Sequence, residues 1–204
     1  MTEPGPVAAA AARRRAAALA GHQGDEPSAR RAWLDDDPAV RATSIGALER
    51  LGSLDAVTLR AALADDSPLV RRRAAELAAR HTDVSLRDAL DDPDAGVIEM
   101  AAFASGEQGA VVGAAGVARL ADLAADHPDA LVREAAVTAL GAIGDPAGLP
   151  AILAAAGGDK PAVRRRAVIA LAPFDGSEVE AALRQALTDR DWQVRQAAED
   201  LLEP

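Results

Sequence analysis

Asp65-Asp66-Ser67-Pro68-Leu69-Val70-Arg71-Arg72-Arg73-Ala74-Ala75-Glu76-Leu77 reads as a turn and the opening of an α-helix. Pro68 suits the first helical turn, and the Asp and Ser ahead of it offer side-chain oxygens to the orphan backbone N–H groups there. Counted from Val70, small or apolar residues recur at +4, +7 and +8 (Ala74, Leu77, Ala78). Those offsets form one stripe of a helix with about 3.6 residues per turn. The Val-Arg pair returns at Val40-Arg41, Val132-Arg133, Val163-Arg164 and Val194-Arg195, with Val97-Ile98 as a degenerate copy. Successive copies are 30, 27, 35, 31 and 31 residues apart. Self-similarity at such a period marks a repeat architecture.

The stripe holds across the copies. Position +4 is small in all six: Ser44, Ala74, Ala101, Ala136, Ala167 and Ala198. Position +8 carries Leu48, Ala78, Ser105, Leu140, Leu171 and Leu202. Each copy therefore predicts an amphipathic helix, here called helix B. Upstream, Leu59 and Leu63, Leu86 and Leu90, Leu120 and Leu123, Ile152 and Leu153, and Leu183 and Leu187 predict a shorter helix A. Acidic turns such as Asp35-Asp36-Asp37-Pro38 separate A from B. Ala12-Arg13-Arg14-Arg15-Ala16-Ala17-Ala18-Leu19 parallels Val70 to Leu77 and reads as an orphan helix B, a half-repeat cap. Glu199, Asp200 and Glu203 make the last helix polar, as a terminal repeat requires. The expectation is an all-α fold, a right-handed α-solenoid of about six helix pairs plus an N-terminal half-repeat. It places a disordered tail over 1–11 and one repeat domain over 12–204, with a bend near the glycine-rich stretch 105–116.

Composition agrees and narrows the function. Half of the 204 residues are hydrophobic, only 2% are aromatic, and there is no Tyr. Such alanine-rich content favours helices in close approach over strands. A net charge of −10 argues against broad binding to nucleic acid or anionic membranes. With no Cys, thiolate metal sites and disulfides are excluded, and His22, His81 and His127 stand far apart in the sequence, so no metal and no cofactor is expected. No apolar run approaches the roughly 20 residues of a membrane span, and the charges of the N-terminal stretch interrupt its apolar run, unlike a signal peptide. A cytoplasmic monomer is the expectation. One Lys beside 21 Arg suggests a GC-rich genome.

The acidic turn, the Val-Arg pair, the small residue at +4 and the Leu at +8 together resemble HEAT repeats, in particular the short repeats of phycobilisome lyases. The likeness runs from about Ala12 to Leu202, and Val97 to Glu107 shares the lyase flavour although Ile98 replaces the Arg. The resemblance implies stacked helix pairs with the B helices lining a concave face. For activity it implies several different things, because such repeats serve scaffolds, lyases and DNA-repair glycosylases alike.

Two groups of residues are candidates for function. Arg41, Arg71, Arg133, Arg164 and Arg195 form a column in the first turn of helix B, where the helix dipole disfavours a cation. Neighbouring Asp residues can compensate, so the column reads as a structural ladder between repeats and not as an anion site. The varied ridge beside the stripe, with Arg72, Glu99, Phe103, Glu134, Thr138, Arg165 and Ile169, is where a protein partner would bind. Its alternating signs and lack of aromatic platforms do not suit nucleic acid. The reading that follows is a non-enzymatic scaffold or adaptor; the alternatives are a phycobilin-lyase-like pigment or cofactor handler and, behind it, a HEAT-like DNA glycosylase.

Overall fold

The computed structural model describes residues 6–202, and among these it contains twelve α-helices, three short 3-10 turns and no strand. The chain packs as two compact units, Met1–Val84 and Ser85–Pro204. The sequence reading drew one domain over 12–204 with a bend near 105–116, whereas the division falls after Val84. Of the expected tail over 1–11, residues 6–11 are helical and residues 1–5 lie outside the described residues.

The first unit holds α1 (Pro6–Gln23), α2 (Glu26–Ala32), α3 (Pro38–Arg50), α4 (Ala56–Leu63) and α5 (Pro68–Ala78). Helix α1 is an unpaired helix B, and α2–α3 and α4–α5 are two A–B pairs. The stripe does what its spacing predicts: Val40, Ile45, Leu48, Leu59 and Val70 are each at most 1% exposed. The small residue at +4 lets helix B approach helix A. Ser44, the one polar residue at +4, donates its hydroxyl to the Ala29 carbonyl of α2 at 2.9 Å and is thereby satisfied in the core.

The second unit opens with a 3-10 turn, Ala89–Asp91, followed by α6 (Ala95–Gln108), α7 (Gly113–Asp126), α8 (Ala130–Ile143), α9 (Leu149–Gly158), α10 (Pro161–Ala170), α11 (Ser177–Ala186) and α12 (Trp192–Leu202). The helix A expected from Leu86 and Leu90 is only that single turn. The 27-residue step leaves too little chain for a helix, yet both leucines are buried, at 3% and 1% exposure. The extra length of the 35-residue step is absorbed in a 3-10 turn, Gly109–Val112, framed by Gly109 at φ 63° and Gly113 at φ 66°. The glycine-rich stretch is thus helical on both sides of one turn. Gly144, at φ 69°, closes α8 in the left-handed conformation that a β-carbon disfavours.

Close approach between successive B helices has its own rule. The glycine at +9 of one copy lies over the alanine at +7 of the next: Gly21 over Ala47, Gly106 over Ala139, and Gly141 over Ala170. Where +7 is Leu77 or Leu201 instead, the preceding +9 position holds Glu49 or Ala172. Glycine at +9 therefore occurs only where the next copy has alanine at +7. At the far end, Glu199 is exposed at +5, where Ile45, Ala75, Ala102, Val137 and Val168 are buried apolar residues. That charge gives α12 a polar face where the other B helices are apolar.

Candidate functional site

The acidic turns offer an earlier and a later carboxylate, in some turns only one of them, and these have separate tasks. The later one caps helix B: Asp37 accepts from the Ala39 N–H at 2.8 Å, Asp94 from Gly96 at 2.9 Å and Asp129 from Leu131 at 2.9 Å. The earlier one receives an arginine from the preceding repeat. Arg41 meets Asp65 through Nε and Nη2 at 2.9 and 2.8 Å, Arg133 meets Asp159 at 2.6 and 2.7 Å, and Arg164 meets Asp189 at 2.8 and 2.7 Å. The third nitrogen turns back to its own turn, as when Arg41 Nη1 donates to the Asp35 and Asp36 carbonyls at 2.9 and 3.0 Å. Arg71 donates likewise to the Asp65 and Asp66 carbonyls, and Arg195 to the Asp189 carbonyl. Parallel donation to a carboxylate is the strong form of the arginine pair. It answers the unfavourable helix-terminal position of the cation.

The seam also includes Arg13, which the sequence reading did not place in the column. It meets Asp35 at 2.7 and 3.1 Å, and its alignment with Arg71 in the half-repeat was the available signal. One rung is absent from both sides at once. Where the arginine would stand, Ile98 is buried at 6% exposure, and the turn of the next repeat carries His127 in the place of the receiving Asp. That Asp often also accepts the N–H two residues on, as Asp35 does from Asp37 at 2.9 Å and Asp189 from Asp191 at 2.8 Å, while Asp159 accepts from the adjacent Lys160. His127 keeps this task, its Nδ1 accepting from the Asp129 N–H at 3.1 Å. Only the charge has gone, and it has gone where no arginine arrives.

The paired carboxyls carry a pH dependence. Hydrogen bonds from Arg133 and Arg164 hold Asp159 and Asp189 below the ordinary carboxylate range, and Arg13 does the same to Asp35. A carboxyl whose pKa is depressed by folding adds stability above its unfolded pKa, about 4, and loses it as pH falls through the folded value. The melting temperature, followed by circular dichroism, is expected to be flat from about pH 7 to 5 and to fall steeply below about pH 4. A midpoint that rises on acidification would contradict the seam.

The ridge candidates do not converge on one point. Arg72 is exposed on α5 in the first unit, while Glu99, Phe103, Glu134, Thr138, Arg165 and Ile169 belong to the second. Phe103 on α6 is 49% exposed and Ile169 on α10 is 44% exposed. Thr138 and Ile169 line the same open depression of about 450 Å³, with Gly141, Ala142, Arg166 and Pro173. Glu134 adjoins it through Arg166, whose Nε donates to Glu134 Oε1 at 2.9 Å. The side chain missed in the sequence is Arg166, one place beyond Arg165 and so on the side of the helix facing the previous repeat. Among the described residues, no group of three or more His, Cys, Asp or Glu side chains gathers as a metal site would. No described helix is long and apolar enough to cross a membrane.

The family model of HEAT repeats matches residues 84–162 and 149–203, which together exceed half of the chain. The chain belongs to the HEAT repeat family. Its stacked helix pairs recur in solved structures that show the fold alone. An engineered protein aligns with a TM-score of 0.67 at 21% identity, over 87% of this chain and 97% of its own. YibA of Escherichia coli aligns with a TM-score of 0.66 at 21% identity, over 86% and 69%. A designed armadillo repeat protein in complex with the peptide (KR)4 aligns with a TM-score of 0.61 at 18% identity, over 93% and 96%. No curated protein matches the chain. These findings place the chain among HEAT and armadillo-like repeats in general; the likeness to the lyase type rests on the repeat style alone.

Proposed function

We propose that this HEAT repeat chain is a non-enzymatic adaptor, a cytoplasmic monomer that holds a protein partner on the B-helix ridge of residues 85–204. The observation that carries the reading is the contrast between the regular and the varied positions. The Arg column is engaged within the chain, whereas the neighbouring +6 position offers Phe103 and Ile169 half-exposed, Ile169 lining an open depression. Stacked repeats present extended surfaces of this kind without needing a deep pocket. A repeat protein of like fold is bound to the peptide (KR)4, which supports peptide recognition as a use of the architecture.

A photo-crosslinking residue introduced at Phe103, Thr138 or Ile169 is expected to give a discrete protein adduct in source cells. The same residue at exposed Arg184 on helix A of the last pair is expected to give none. Equal labelling at both places, or none at either, contradicts the adaptor reading. The phycobilin-lyase alternative is separated by titration with a bilin, for which an adaptor predicts an unchanged absorbance spectrum.

A further inference from the structure

Resting on that adaptor reading, we propose that the depression between α8 and α10 takes a short acidic segment of the partner, an apolar side chain seated against Ile169 and Pro173 and a carboxylate on Arg165 and Arg166. The floor is set by backbone contact. Gly141 lies so close to α10 that a β-carbon there would come within 2.6 Å of the Ala170 β-carbon. Above this contact Thr138, Ala142, Ile169, Ala172 and Pro173 form largely apolar walls, and Arg166 brings the charge. The volume, about 450 Å³, suits one large side chain with its peptide.

The charge of the occupant follows from donors without acceptors. Arg165 Nε is buried and has no hydrogen-bond partner, an unmet donor on a half-buried residue whose guanidinium can reach an acceptor on a ligand. Arg165 and Ile169 stand four residues apart on α10, hence on one face of it. Arg166 uses Nε on Glu134 and is 42% exposed at its side chain. Elsewhere in this chain, at Arg41, Arg133 and Arg164, a guanidinium takes an Asp carboxylate through two nitrogens.

The net charge of the unit points the other way and is outweighed locally. Residues 1–84 hold 12 acidic and 12 basic side chains, and residues 85–204 hold 20 and 10, so the whole −10 lies in the second unit. Eight of those twenty carboxylates, Asp91, Asp92, Asp94, Asp126, Asp129, Asp159, Asp189 and Asp191, are in or beside the A–B turns. Charges beyond about 8 Å are largely screened at physiological salt. Beside the depression the carboxylate in contact is Glu134, paired with Arg166, while Arg165 on the same helix as Arg166 adds a second cation.

The test uses two capped fluorescent peptides, one alternating leucine with Asp and Glu and the other leucine with Lys and Arg, with the full chain labelled with 15N. The acidic peptide is expected to shift the amide resonances of residues 138–142 and 165–173 and to weaken as salt rises. Arg165→Gln and Arg166→Gln together should reduce its affinity by more than about tenfold, the scale of lost charge-assisted hydrogen bonds. Ile169→Ser, at a half-exposed position that leaves folding intact, should weaken it by about tenfold. Tighter binding of the basic peptide at these amides, or acidic binding indifferent to both arginines, overturns the proposal. Shifts confined to Glu99 and Phe103 would overturn this assignment while leaving the adaptor reading standing, which fails separately on the crosslinking result.

Discussion

Asp189→Ala is expected to cost about 3 kcal/mol of unfolding free energy, the scale of breaking one partner out of a buried ion pair. Its partner Arg164 is only 4% exposed, so removing the carboxylate strands a guanidinium that has little water to turn to. The backbone carbonyl of Asp159, at 2.6 Å from Arg164 Nη1, would be its remaining acceptor. Asp189→Asn should cost less, because an amide oxygen can still accept from the Asp191 N–H and from one guanidinium nitrogen. Replacing both partners with Leu should recover much of the loss, since apolar substitution of a buried pair is often close to neutral. Denaturant unfolding measures all three. A cost under about 0.5 kcal/mol for Asp189→Ala, the range of ordinary surface changes, would remove the ladder as a stabilising element.

Gly141→Ala is the second large effect, and its sign is the informative part. In a helix interior this change normally stabilises by about 1 kcal/mol, because glycine loses more backbone entropy on folding. Here the new β-carbon would fall 2.6 Å from the Ala170 β-carbon and 2.7 Å from its α-carbon, so α8 and α10 would have to separate. The expected result is a net loss of about 1–3 kcal/mol, the cost of overpacking. Gly157→Ala in α9 is the control: a β-carbon there meets nothing within 4 Å, and the same substitution should be neutral or stabilising. Opposite signs at the two sites, read in one denaturant series, support the glycine-over-alanine contact between B helices.

What the sequence made legible was what repeats. The Val-Arg pair, the small residue at +4 and the acidic turn recur often enough to fix the B helices and their order. The arginine ladder could be anticipated from the helix dipole, because a cation at that end needs carboxylates nearby. Arg13 escaped because Ala12 stands where the other copies have Val. The single 3-10 turn in place of a helix A around Leu90 escaped because apolar spacing reports burial and cannot by itself measure how much chain is available to coil. The depression was only half legible. Thr138 and Ile169 stood out at +6, but Gly141 and Arg166 acquire meaning only when α8 and α10 are brought together, a distance that spacing within one helix does not contain. The division after Val84 likewise comes from packing, although it falls within the shortest step of the repeat, the 27 residues from Val70 to Val97.

The central claim, that the arginine column is the seam between repeats, is tested most directly by building the rung this chain lacks. Ile98→Arg alone should destabilise, since it buries a cation with no carboxylate opposite. His127→Asp alone should change stability little, because Asp can keep the turn hydrogen bond that His127 now accepts. Combined, the two should be more stable than the sum of their separate effects by about 1–3 kcal/mol, the coupling expected of residues in direct contact. A double variant no better than the sum would mean that positions 98 and 127 do not face one another as a rung, and the seam would lose its account.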